Sequence, residues 1–147
     1  DDQFSKVVSL DDEPLEIILH IARLYYDHEQ IRSAIGYYEL ALSRGGNKPF
    51  ILNNLAWAYA QERIELERAS QLSLRAVKSD ADNVVYLDTY AELLYVRGSF
   101  DRAVAVMEQA LQLEPETGEH YEYLREQLVK FQAATDSARG RQSANRM

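Results

Sequence analysis

Alanine recurs in this chain at an interval that strongly restricts what it can fold into. Ala22, Ala56 and Ala91 lie 34 and 35 residues apart, and Tyr25, Tyr59 and Leu94 keep the same two spacings. Ala34, Ala69 and Ala103 are spaced 35 and 34, as are Ala41, Ala76 and Ala110. One inserted residue between Tyr59 and Ala69, in "AQERIELER", brings all four series into register. A period of this length marks a chain built from stacked copies of one supersecondary unit. No single copy can bury its apolar face alone.

Each copy reads as two amphipathic helices. In "VVYLDTYAELLYV", Leu87, Tyr90, Ala91 and Leu94 fall at i, i+3, i+4 and i+7, one face of a helix. "RGSF" ends it, since Gly98 can take the left-handed conformation that closes a helix. "FDRAVAVMEQALQL" presents Phe100, Ala103, Val104, Met107, Ala110 and Leu111 as a second stripe, and Pro115 stops that helix. Small side chains at Ala91, Ala103 and Ala110 let the paired helices approach closely. The pattern predicts seven main helices, with breaks near 28–30, 45–48, 62–65, 80–83, 97–99 and 114–118.

These residues resemble the tetratricopeptide repeat, whose signature runs over 34 residues: a large residue, Leu and a small residue, Tyr, A-x3-aromatic, then Pro. Val84 to Thr117 matches best; Pro49 to Asn83 carries "LNNLAWAY" and "ASQLSLRAV"; Leu15 to Lys48 carries "ILHIARLYY" and "SAIGYYELAL". Ser73 stands where a large side chain is usual, Ala81 replaces the closing Pro, and Ala takes the small position of all three first helices. The resemblance implies an all-α fold, a right-handed helical-hairpin solenoid with a C-terminal capping helix. Its units are 15–48, 49–83 and 84–117. The capping helix, 118–133, has Tyr121, Leu124, Leu128 and Phe131 as its stripe, and 134–147 reads as a disordered polar tail. Residues 1–14 read as the end of a truncated earlier repeat or as an N-terminal cap, because "FSKVVSLDDEP" superimposes on "MEQALQLEPET". On that reading the chain is part of a longer protein.

Composition narrows the function classes. Of 147 residues 46% are hydrophobic and 27% charged, a globular balance, and the few helix breakers, 3 Pro and 6 Gly, favour helix. A net charge of -8 argues against nucleic acid, whose binders neutralise phosphates with basic stripes, and against anionic lipid. Without Cys there is no disulfide, thiolate metal site or Cys nucleophile, and cytoplasm and periplasm are both compatible. The apolar runs are too short to insert in a membrane. His20, His28 and His120 are not paired at ligand spacing. "DADNVVYLD" lacks the turning Gly and closing Glu of a calcium loop, with Ala91 at its twelfth position. No catalytic constellation and no cofactor or metal motif emerges, so the expectation is a non-enzymatic interaction scaffold.

The resemblance places a partner-binding groove on the first helix of each unit. Its candidate residues are Leu19, Arg23 and Tyr26 in the first unit, and Phe50, Asn53, Asn54, Trp57 and Gln61 in the second. Asp88, Glu92 and Tyr95 follow in the third, beside Val85. Aromatic and Arg anchors suit a protein or peptide ligand, and the acidic pair suggests one with basic residues. One tetratricopeptide subclass clamps a terminal carboxylate. The matching positions here hold Leu19, Arg23, Asn54, Val85 and Thr89, of which Asn54 alone agrees. Self-association through the N-terminal edge (Phe4, Val7, Val8) and a regulatory role beside an enzyme elsewhere in a longer chain are the alternatives.

Overall fold

Residues 13–147 are described by a computed structural model. They form seven α-helices in the order α1 (Leu15–Asp27), α2 (Ile31–Ser43), α3 (Pro49–Glu62), α4 (Leu66–Ser79), α5 (Val84–Val96), α6 (Phe100–Leu113) and α7 (Tyr121–Asn145). Each expected break falls between two of them. The proposed preceding repeat lies, but for Glu13 and Pro14, outside the described residues.

Local chemistry explains the punctuation. Pro49 opens α3, where its missing N–H costs nothing. Asn83 caps α5, its side-chain oxygen accepting from the backbone N–H of Val85 at 3.0 Å and of Tyr86 at 3.2 Å. Gly98, at φ 83°, lets the chain leave α5 while Ser99 N–H returns to the Leu94 carbonyl at 2.8 Å. After α2 the backbone doubles back so tightly that a Cβ on Gly46 would sit 2.6 Å from the Ala41 carbonyl oxygen. A side chain has no room there.

The chain divides into two compact units, Asp1–Ser79 and Asp80–Met147. In the first, α1 packs on α2, α2 on α3 and α3 on α4. In the second, α5 packs on α6 and α6 on α7. All nine repeating alanines, Ala22, Ala34, Ala41, Ala56, Ala69, Ala76, Ala91, Ala103 and Ala110, are 0% exposed. Their small size is what lets paired backbones close up, so the sequence period is a packing period. Tyr38 and Tyr59 are buried, as expected of core residues. Tyr25 and Tyr90 are half-buried: Tyr25 stacks on Tyr37 with centroids 5.3 Å apart, and the Tyr90 hydroxyl accepts from Arg102 at 3.2 Å.

Tyr59 also ties three helices of the first unit together. Its hydroxyl and the Arg68 guanidinium both donate to the Glu39 carboxylate, Arg68 through two bonds of 2.8 and 2.7 Å. Burial pulls the Glu39 pKa upward, but the bonds from Arg68 and Tyr59 and the Arg68 charge outweigh it, leaving the pKa lowered.

The C-terminus differs from the sequence expectation of a helix ending at 133 and a disordered tail over 134–147. Helix α7 runs to Asn145. Thr135 is buried, its hydroxyl donating to the Phe131 carbonyl at 3.0 Å, and Arg139 reaches Asp101 of α6 at 3.0 Å. The small polar residues of "AATDSARGRQSA" resemble a disordered tail by composition. Ala, Arg and Gln are nonetheless good helix formers, and the lone Gly140 costs only about 1 kcal/mol.

Candidate functional site

The first helices α1, α3 and α5 carry the expected groove residues, and the two compact units treat them differently. In the first unit Trp57 is half-buried on α3, one residue past the fully buried Ala56. A step of one residue turns about 100° around a helix, so Trp57 cannot share the face that Ala56 presents to the core. Its indole and the Gln61 amide both reach the Tyr26 hydroxyl on α1. An indole N–H can only donate, so Tyr26 is the acceptor. Burial raises the Tyr26 pKa, the two incoming hydrogen bonds hold it down, and Asp27 pushes it up again.

Around this cluster Leu19 and Asn54 are half-buried, while Arg23, Gln61 and Phe50 are exposed, Phe50 by 45%. The Asn54 side chain bonds the Tyr38 hydroxyl, whose pKa is nonetheless raised, chiefly by burial. Arg23 pairs loosely with Asp27 at 3.7 Å. Asn53 is the exception: it is 5% exposed, and its Oδ1 has no hydrogen-bond partner. It belongs to the interior of the unit.

In the second unit, helix α7 lies over the α5 face that sequence periodicity assigns to the groove. Gln127 donates to Asp88 Oδ1 at 3.3 Å and to Glu92 Oε2 at 3.2 Å, and Lys130 donates to Glu92 Oε2 at 3.1 Å. Lys130 also sits 4.7 Å from the Tyr95 ring centroid, and the Tyr95 ring packs on Phe131 at 5.0 Å and on Phe100 at 5.6 Å. Asp88 is 8% exposed. Burial raises its pKa to about 6 with help from the Glu92 charge, against hydrogen bonds from Gln127 and Tyr123 and the Lys130 charge. Asp88, Glu92 and Tyr95 therefore have partners within their own unit.

Gln127 and Lys130 are the residues that sequence reasoning passed over. Polar residues on an amphipathic helix read as its solvent face, so the periodicity of α7 held no signal that two of them would meet carboxylates of α5. His28 and His120 sit at helix ends, as their positions suggest, and His20 is exposed. Among the described residues no helix is long and apolar enough to cross a membrane.

These features define a class: an all-α protein of paired helices repeating on one period. No protein-family model matches the chain, and comparison with curated proteins finds no match. Solved structures do match. The chain is similar to the TPR domain of Sgt2 from Aspergillus fumigatus, with 18% identity, coverage of 85% of this chain and 81% of that one, and a TM-score of 0.72. It is similar to the first TPR domain of human RPAP3, with 18% identity, coverage of 86% and 95%, and a TM-score of 0.72. A third similar structure is the first TPR of Spaghetti (RPAP3) bound to the HSP90 peptide SRMEEVD, at 18% identity, 83% and 95% coverage and a TM-score of 0.68. The fold of this chain is the tetratricopeptide-repeat fold, an all-α helical-hairpin solenoid.

Proposed function

We propose that the chain is a non-catalytic protein-interaction scaffold that holds a peptide or protein segment on the first-helix face of its N-terminal unit. The observation that carries this reading is the Trp57–Tyr26–Gln61 cluster, a half-buried aromatic pair with the Gln61 amide beside it. Such a pair offers apolar area to a partner, and the same two helices carry exposed Arg23 and Phe50 and half-buried Asn54. A peptide-bound TPR among the similar structures supports the class of function. It does not extend to the same ligand chemistry, because Asn54 alone matches the carboxylate-clamp positions. Asp88 and Glu92 recommend a basic partner less than their sequence suggests, since α7 already supplies Lys130 and Gln127 to them. The proposal commits to an apolar anchor at Trp57.

The test uses a displayed random-peptide library panned on the intact chain. Selected peptides should lose roughly 2 kcal/mol of binding, about thirtyfold in Kd, on Trp57→Ala, while the melting temperature stays nearly constant. Trp57 is the sole Trp, so its fluorescence reports binding directly. A sharp fall in melting temperature, with binding retained by the folded fraction, would make Trp57 a packing residue between α1 and α3 and remove the anchor.

A further inference from the structure

Helices α5 and α7 meet through two polar stripes set in register. Asp88, Glu92 and Tyr95 stand at i, i+4 and i+7 of α5, and Tyr123, Gln127 and Lys130 keep the same spacing on α7. Their contacts run in the same order along both helices. The Tyr123 hydroxyl donates to Asp88. Gln127 Nε2 bridges Asp88 and Glu92 at 3.3 and 3.2 Å, and Lys130 reaches Glu92 at 3.1 Å and the Tyr95 ring centroid at 4.7 Å. Two carboxylates thus share one amide nitrogen and one ammonium, where Asp88 is 8% exposed and the Glu92 side chain 17%. Like charges held together away from water favour the uptake of a proton, and the same pair in water does not. Helix α5 also packs on α6, so α7 can leave while that pair stays closed.

We propose that α7 is a proton-linked latch on the C-terminal unit: its docking takes up a proton at the Asp88–Glu92 pair, and its local release, favoured as pH rises, bares Asp88, Glu92 and Tyr95 as an acidic face. The groups that face Asp88 are Glu92 on its own helix and Tyr123, Gln127 and Lys130 on α7. Burial, helped by the Glu92 charge, pushes the Asp88 carboxyl up to about 6, against the pull of Gln127, Tyr123 and Lys130. Released into water, the carboxyl returns to its ordinary value of 3.8. The docked state therefore binds the proton more tightly, and docking weakens as pH rises through this window. Between pH 5 and 7.5 the two values give a loss of about tenfold in the docking equilibrium. The latch is independent of the Trp57 site, which uses other helices.

Hydrogen exchange of the full 147-residue chain, read by mass spectrometry and corrected for intrinsic rates, tests it between pH 5 and 7.5. Amides of α7 should be less protected than those of α6 at every pH, and should lose about tenfold in protection across the range. Asp88→Asn should flatten that loss. Glu92→Gln, a second variant should the first fold poorly, should diminish it. Histidine is the usual proton sensor near this pH, so His120→Gln, at the start of α7, is the control and should leave the loss in place. Equal protection of α6 and α7 at each pH would mean that α7 leaves only with its whole unit. A loss that survives Asp88→Asn, or vanishes in His120→Gln, would put the proton elsewhere. Either result overturns the inference.

Discussion

Asp88→Asn should stabilise this protein at neutral pH and remove a defined part of its pH dependence. Asp88 is 8% exposed, and its pKa stands at about 6 against an ordinary 3.8, with burial as the largest cause. A shift of about two units corresponds to about 3 kcal/mol, the cost of holding the ionised form in place. The sign follows from proton counting. Between pH 3.8 and 6 the folded chain holds a proton at Asp88 that the unfolded chain has released, so stability falls as pH rises through this window. Below it the penalty is absent, and above it the penalty is complete. An Asn keeps the oxygen that accepts from Gln127, and its amide can donate to Glu92, which lies close enough to share Gln127. Urea unfolding followed by far-UV circular dichroism, at intervals from pH 4 to 8, should show the two proteins nearly equal at the acid end. The variant should lead by up to about 3 kcal/mol above pH 7. Parallel curves across that range, or a variant less stable at pH 7, would refute the argument that burial rather than pairing governs this carboxyl.

Ala103→Leu should destabilise by roughly 1–3 kcal/mol, because Ala103 is 0% exposed and added methylenes must displace the neighbours packed on it. An unchanged denaturation midpoint would show that the site has room for the larger side chain. Ser73→Ala should be neutral or raise stability by about 1 kcal/mol, since the buried Ser73 Oγ has no hydrogen-bond partner and the substitution removes the unsatisfied group; a loss above that size in the same urea titration would reveal a bond to the hydroxyl. Arg68→Met should lower stability at pH 7 and lessen the loss on acidification, because the lowered pKa of Glu39 depends on Arg68 and is a contribution present above the unfolded pKa that fades as pH falls; a pH profile unchanged from the parent would count against it.

The sequence by itself determined the unit, its length and its small buried positions. Nine alanines on a 34–35-residue period mark nine fully buried positions, because close helix approach demands a small side chain wherever it recurs. Gly98 and Pro49 likewise announce their helix boundaries by backbone conformation alone. What only the tertiary structure decided is which neighbour arrives on each remaining face. Asp88, Glu92 and Tyr95 sit on α5 at the positions that periodicity gives to a groove. They meet Gln127, Lys130 and Phe131 because α7 packs beside them. Asn53, polar and one turn before Trp57, is buried where pattern reading leaves it accessible. The extension of α7 to Asn145 follows the same logic, held by Thr135 and Arg139 against a composition that reads as a tail. Helical periodicity reports how a helix's own residues are arranged around its axis. It carries no information about the side chains that another helix brings to that surface, and those contacts set the burial and charge state of Asp88.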